Sequence, residues 1–385
     1  MRRKIEKIEK IEKTRLRKIE ETKINLIQSN LIKKESLKFR VFKNLKLKTP
    51  NLKPINMNYL IKHKHMKYFL FVIMFLPFIS FSQPTPTVEE NIPYLVTFGK
   101  ESLTKWGDDD FCQIFFFSVP ETQKEPVFIR VYDPDTGGEI DEQKGDFNTK
   151  ISFSVYGGKG CISNKDARTT QPTGSYKSGN LLSSKTFGIN NTYDKNWYSF
   201  GPFNPTEGEL MHEYGGYIFK IIAEGISGDD GNLYKYYLST GSDKNNPVEG
   251  GNSFTYEYTF RLYNDFKSVS HIYPYIDDKV ISLKQSNFDW DNDGAIRIIS
   301  VAKNGELCKV SGDANWASSE HIVVKEEKGT SYDIQFIKSN SLQKNNNVVL
   351  YVTNQYGELL PFYTAPIGGV PKYKYSIGVK TKKNK

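Results

Sequence analysis

The cleanest alternation of apolar and polar positions runs from Phe254 to Leu262. Phe254, Tyr256, Tyr258, Phe260 and Leu262 fall on one face, and Thr255, Glu257, Thr259 and Arg261 on the other. A period of two marks a half-buried antiparallel strand. Shorter β-branched and aromatic runs predict strands at Tyr94–Phe98, Phe111–Val119, Val127–Tyr132, Ile151–Tyr156, Leu181–Phe187, Trp197–Phe200, Tyr217–Ala223 and Leu233–Leu238. Gly, Asp, Asn and Pro clusters separate them, the punctuation of an all-β chain. The polar stretch Tyr263–Ser270 (YNDFKSVS) interrupts the series, and a domain boundary is placed there. A second series follows at His271–Tyr275, Val280–Lys284, Ala295–Ala302, His321–Lys325, Ser331–Lys338, Val348–Thr353 and Tyr373–Val379, with Asn304-Gly305 expected to turn a hairpin. Helix-period patterns are absent from both series.

Phe111–Val119 departs from simple alternation, because Phe111, Phe115 and Phe117 point one way while Ile114 and Phe116 point the other. Something must cover the second face. We prefer the strand's own long loop, such as Gly157–Gly179, over a partner or the second domain.

Upstream, Met66–Gln83 (MKYFLFVIMFLPFISFSQ) places a lysine before a twelve-residue apolar run and small residues before Gln83. That is the layout of a secretory signal cleaved after Ser82. It is short for a membrane span, which needs roughly 20 apolar residues. Residues 1–65 form a basic low-complexity prefix opening on a KIE repeat. The expected reading is that translation starts at Met66 or Met57; a cytoplasmic segment before an uncleaved anchor and a nucleic-acid-binding arm are the other two. The expected organisation is prefix 1–65, signal 66–82, Pro/Thr/Glu-rich linker 83–93, first sandwich 94–265 and second sandwich 266–385 with a basic tail.

Charge sharpens this division. The chain holds 53 basic and 44 acidic residues; residues 1–82 contain 21 and 6 of them, leaving 32 and 38 after the signal. The basic character belongs to the prefix, so no nucleic-acid partner is inferred for the mature chain. Three cysteines, Cys112, Cys161 and Cys308, permit one intrachain pair at most, with Cys112–Cys161 favoured, and show no metal-binding CxxC spacing.

Catalytic motifs are missing. His212-Glu213 lacks the second histidine of a zincin helix, and there is no GxSxG elbow or phosphate loop. The chain is therefore read as non-enzymatic. Acidic turns are the stronger pattern: Asp108-Asp109-Asp110, Asp133-Pro134-Asp135, Asp229-Asp230-Gly231 and Asp289-Trp290-Asp291-Asn292-Asp293-Gly294. Clustered carboxylates at loop ends supply the oxygens that calcium takes, six to eight of them. The same residues also dominate turns for backbone reasons alone. If Phe111–Val119 and Val127–Tyr132 form a hairpin, Asp108–Asp110 and Asp133/Asp135 meet at one end of a sheet. DWDNDG opens like an EF-hand loop, but Ser300 stands where the bidentate glutamate belongs and a strand pattern follows. High aromatic content, 24 Tyr and 25 Phe, with Trp106, Trp197, Trp290 and Trp316 beside loops, raises glycan binding on exposed aromatics as the alternative; filling of two sandwich cores is the plainer reading.

The segments FFFSVPETQKEPVFIRVYDPDTGG (Phe115–Gly138) and GGYIFKIIAEGISGDDGNLYKYYLS (Gly215–Ser239) resemble the pre-peptidase C-terminal type of β-sandwich. The resemblance implies an exported, jelly-roll-like accessory domain, sometimes calcium-stabilised, without catalytic residues. The second series is expected to be immunoglobulin-like or fibronectin-like. The signal ending in FSQ and the Lys/Asn/Ile-rich text resemble exported proteins of Bacteroidota. The expectation is an exported binding or structural module of the cell envelope or extracellular space, with another envelope protein or a glycan as partner and no membrane span in the mature chain.

Overall fold

The computed structural model describes residues 92–265, 268–339 and 346–368, all within one compact unit, Ser80–Lys385. The prefix, the signal, most of the linker, the expected strand Tyr373–Val379 and the basic end lie outside the described residues. Those residues form antiparallel strands joined by loops and short 3-10 turns, so the all-β expectation is met. No helix among them is long and apolar enough to cross a membrane.

In chain order the strands of the first half are β1 (Tyr94–Phe98), β2 (Cys112–Val119), β3 (Val127–Tyr132), β4 (Lys150–Gly157), β5 (Asn180–Phe187), β6 (Trp197–Phe203), β7 (Glu209–Met211), β8 (Gly216–Ser227), β9 (Gly231–Ser239), β10 (Asn252–Thr255) and β11 (Glu257–Arg261). The second half supplies β12 (Val269–Ile272), β13 (Tyr275–Ile276), β14 (Ser282–Phe288), β15 (Gly294–Ile299), β16 (Asn304–Cys308), β17 (Trp316–Ile322), β18 (Thr330–Ser331), β19 (Asp333–Lys338), β20 (Asn347–Asn354) and β21 (Phe362–Tyr363).

One eight-stranded sheet runs β17-β14-β20-β11-β1-β9-β3-β6. A seven-stranded sheet, β21-β10-β2-β8-β4-β5 with β7 beside β8, faces one part of it. Phe115 of β2 meets Tyr236 and Tyr258, and Phe153 of β4 meets Tyr234, across that interface. The four-stranded sheet β12-β19-β15-β16 faces the other part, where Phe336 packs edge-on against Phe260. Two sandwiches thus share a sheet, and one apolar cluster runs through both. Position 265/266, where the sequence is divided, falls inside this arrangement: β11 is hydrogen-bonded to β1 on one side and β20 on the other.

The regular alternation of Phe254–Leu262 hides a change of sheet. The strand breaks at Tyr256, so that β10 pairs with β2 in one sheet while β11 pairs with β1 in the other. Phe254 and Tyr256 pack on the outer cluster and Tyr258, Phe260 and Leu262 in the main core. The polar positions are buried too. Thr255 Oγ1 donates to Ile114 O (2.6 Å), and Gln113 Nε2 donates to Val96 O and Thr259 O (2.6 and 3.0 Å).

The second face of β2 is covered by the loop that follows β4, as expected. Cys161, Ile162 and Tyr176 of that loop pack with Ile114 and Phe116. Two buried polar side chains hold it down. Glu209 accepts from Gly160 N, Ile162 N and Ser163 N (2.8–3.1 Å), and Lys220 Nζ donates to Tyr176 O and Ser178 O (2.6 and 2.8 Å). Cys112 and Cys161 share this cluster but are not bonded; all three cysteines are free and buried, correcting the expected pair. Asn304-Gly305 is not the turn of its hairpin either. Ser300 N donates to Lys303 O (2.9 Å) and closes the turn. Gly305, with φ +86°, sits in β16 beside the register shift at Ile298/Ile299, a bulge that a left-handed glycine accommodates.

Candidate metal centres

The expected β2–β3 hairpin does not form. β2 lies between β8 and β10, and β3 between β6 and β9 in the facing sheet. A strand with large aromatics on both faces needs covering on both, and a central place in the seven-stranded sheet provides it. Asp108–Asp110 and Asp133/Asp135 therefore belong to separate acidic groups, and Asp289/Asp291 to a third.

The group at the end of β3 is the most completely built. Tyr132 pairs with Trp197 at the start of β6 and Lys235 in β9, so the loops after β3 and before β6 meet beside β9. Asp133, with φ +56°, turns the chain, and its N donates to Asn196 O (2.9 Å). Asp133 Oδ1 accepts from Lys195 N (3.1 Å) and Asp135 Oδ2 from Tyr193 N (3.0 Å). These bonds bring in Asp194, and ligand oxygens of Asp133, Asp135 and Asp194 lie within 4.8 Å of one another. Gly138 makes room for it: at φ +73° a Cβ there would stand 2.9 Å from the Asp194 carboxylate. Beside them Asn232 Nδ2 donates to Asp135 O and Pro134 O (2.7 and 3.2 Å), which fixes its amide orientation.

Four buried oxygens in this stretch have no hydrogen-bond donor: Asp135 Oδ1, Asp194 Oδ1, Thr136 Oγ1 and Asn232 Oδ1. Asp135 and Asn232 are fully buried. Unsatisfied buried acceptors cost about 1–3 kcal/mol each, and more when charged. Burial, with Asp135 and Asp194 adding repulsion, pushes the Asp133 carboxyl up to about 7 against the bond from Lys195 N. Burial also raises Asp135, and raises the neighbouring Asp141 well above the usual range. Oxygens only, several anionic and drawn from two loops and strand β9, match the donor set of a hard cation such as calcium.

Asp108–Asp110 fill the turn before β2. Asp108 Oδ2 accepts from Phe98 N (3.0 Å), and its Oδ1 from Phe111 N and Asp110 N (2.8 and 3.2 Å). Asp110 Oδ1 accepts from Cys112 N (2.8 Å), while buried Asp109 Oδ1 has no donor. Burial raises Asp108 to about 7, Asp109 to about 6 and Asp110 well above the usual range.

In the third group Asp289 and Asp291 are joined by Asp313 from the β16–β17 loop. Asp289 Oδ1 accepts from Ala314 N (2.5 Å), and burial raises its carboxyl to about 7. β14 and β15 flank this loop, so the DWDNDG stretch connects two strands. Asp293 stands apart, paired with Lys338 Nζ and Ser339 Oγ. Asp230 is spent on the chain itself, accepting from Lys144 N, Asn148 N and both Thr149 N and Oγ1 (2.8–3.2 Å). Asp229 and Asp230 join none of the three groups. Asp194 and Asp313 are additions that the sequence reading missed; each stands in a loop far along the chain from its group.

Two other arrangements bear on function. Cys308 Sγ lies 3.4 Å from His321 Nε2, with Glu306 Oε1 2.8 Å from Nδ1. The carboxylate is out of hydrogen-bond alignment with the ring, and burial followed by Glu306 pushes the thiol up to about 12. A nucleophile relay needs the opposite, a lowered thiol and an oriented base. The second is a cleft of about 640 Å³ between the covering loop and the segment after β20. Tyr214, Tyr256, Tyr275 and Tyr363 line it, with Lys165 and Arg168. Trp290 is fully buried against Phe336 and takes no part in any surface. Compared with models of known protein families and with curated proteins, the sequence matches none.

Proposed function

We propose that the chain is an exported, non-catalytic β-sandwich module of the cell envelope or extracellular space, stabilised by calcium held at Asp133, Asp135 and Asp194. The observation that carries the reading is the set of donor-less buried oxygens at that loop junction. An ion there offsets the repulsion among the carboxylates and ties the loops after β3 and before β6 to β9. Extracytoplasmic calcium fills weak, millimolar sites, which fits the signal at Met66–Gln83. The resemblance of the first half to accessory sandwiches of exported proteins points the same way. Melting of the metal-depleted chain at millimolar calcium, against chelator, tests it: the midpoint should rise by several degrees, and Asp194→Asn should remove most of the rise. An unchanged midpoint in the wild type would sink the calcium reading.

A carbohydrate-binding role is the second reading, favoured by the tyrosine-lined cleft. Sugar rings stack on aromatic faces, and charged side chains bond their hydroxyls. Retention on insoluble polysaccharides should then drop on Tyr275→Ala; no retention on any polysaccharide removes this reading.

A further inference from the structure

β17 ends the eight-stranded sheet, and among the described residues no strand pairs with it on its outer side. Its seven residues, Trp316–Ile322, pair with β14 without a register shift. The bonds that continue this ladder fix which groups point outward. Val323 N donates to Ile281 O (3.0 Å) and Asp289 N to Asn315 O (3.3 Å), so the odd-numbered residues of β17 exchange their backbone bonds with β14. Trp316, Ser318, Glu320 and Ile322 therefore turn their N–H and C=O groups away from the sheet. Ile322 O does so while accepting from Lys303 Nζ (2.7 Å), and it keeps a second lone pair. A cleft of about 630 Å³, lined by Ser318, Ser319 and Glu320 with Leu307 and Lys309, leaves that edge open.

Natural sheets blunt their edges, because an unpaired strand recruits another. The other ends of the three larger sheets follow this rule. β6 carries Pro202 and meets a register shift at Val127/Ile129. β5 carries Lys185 and meets one at Val155/Tyr156. β16 has the bulge at Ile298/Ile299, and β12 and β21 have four and two residues. β17 contains no Pro, Gly, Lys or Arg. Its side chains are arranged instead to meet their own copy. Trp316, Ser318, Glu320 and Ile322 share one face by alternation, with Trp316 41% and Ile322 69% exposed at the two ends. Antiparallel pairing about a two-fold axis at Ser319 sets Trp316 against the partner's Ile322 and Ser318 against the partner's Glu320, and all four outward-facing residues find a partner. An axis at Glu320 would oppose two carboxylates, and one at Ser318 would leave Ile322 beyond the partner's strand. We propose that β17 is a self-association edge, through which two copies of this chain join their eight-stranded sheets around a two-fold axis at Ser319.

The test is sedimentation equilibrium of residues 83–385, which hold every described residue, over a dilution series. The wild type should pass from dimer to monomer on dilution. Ser318→Glu sets carboxylates directly opposite at both symmetric positions and should weaken the dimer about tenfold; Ser318→Lys sets a cation against the partner's Glu320 and should tighten it. Tightening by lysine separates this register from a general effect, since edge lysines otherwise oppose association. Ser318→Pro removes an outward N–H, spares the β14 ladder and should give a monomer. Should that variant fold poorly, Ser318→Glu and Ser318→Lys still decide, because each changes only a half-buried side chain. A wild type that is monomeric at every concentration overturns the proposal and leaves the edge to an extended strand of another protein. A dimer indifferent to both charge changes overturns it as well.

Discussion

Lys220 is a cation in the middle of an apolar strand, fully buried on β8, with its ammonium bonded to two backbone carbonyls of the covering loop. Burial lowers its pKa to about 8, against about 10.4 for a free lysine. The sign follows from proton counting. Between these values the unfolded chain keeps a proton that the folded chain has released, so the contribution of Lys220 to stability rises with pH from about 7.5 to 10. The penalty relieved is at most about 3 kcal/mol. The buried thiols of Cys161 and Cys308, raised by burial, pull the other way over the same range, so the test is the difference: in urea unfolding at pH 7.0, 8.0, 9.0 and 9.5 the wild type should gain stability relative to Lys220→Met, and a difference that does not change with pH contradicts it. Lys220 stands in the run GGYIFKIIAEG, and its place among apolar residues is visible in the sequence. Its two carbonyl partners are not, because they lie some forty residues away in a loop. Asp194 and Asp313 were hidden for the same reason: a polar residue's neighbours across a sheet or between loops leave no local periodicity.

At the scale of elements the sequence was more legible. β1 and β3 have the expected bounds, and most other strands of the first half differ by one to three residues at their ends. Their runs of Val, Ile, Phe and Tyr suit a pleated buried surface, and their Gly and Asp boundaries end them for a local reason. The covering loop was legible as well, since β2 is apolar on both faces and requires a lid. Pairing was not. The segment from Pro120 to Pro126 (PETQKEP) is short enough to suggest a hairpin, yet it carries the chain from one sheet to the other. The strand around Tyr256 makes a similar crossing without losing its alternation, since Phe254 and Tyr256 fill the outer cluster and Tyr258, Phe260 and Leu262 the main core, so every apolar position is buried on one side or the other. β7 and β16 were missed because three and five residues with exposed members carry too weak a pattern.

For the whole molecule the shared sheet has a thermodynamic consequence. β11 contributes to the eight-stranded sheet through bonds to β1 and β20, and the apolar cluster continues from Phe115 to Phe336. Neither sandwich can open without exposing the other's core, so calorimetry of residues 83–385 should give one transition whose calorimetric and van't Hoff enthalpies agree. A chain ending at residue 265 should lack that cooperative transition, because β20 and β21 no longer cover β11 and β10. Two separable transitions would show instead that the sheet merely abuts at that seam. A boundary guessed from a polar stretch such as YNDFKSVS marks where the chain leaves the sheet, and carries no information on whether it returns.

It does return, and that sets the order of events in time. β1, the first described strand, lies between β9 and β11, whose partner residues stand 133 to 167 positions later. β11 in turn waits for β20, and β10 for β21 near the far end. Chains dominated by such distant pairings fold slowly. A nascent chain must therefore keep Tyr94–Phe98 unpaired until β9 and then β11 have emerged. Its aromatic, edge-exposed strands are most open to misassociation during that interval. The calcium proposed at Asp133, Asp135 and Asp194 would act in the same interval, joining the end of β3 to the start of β6 across a separation of 58 to 62 residues.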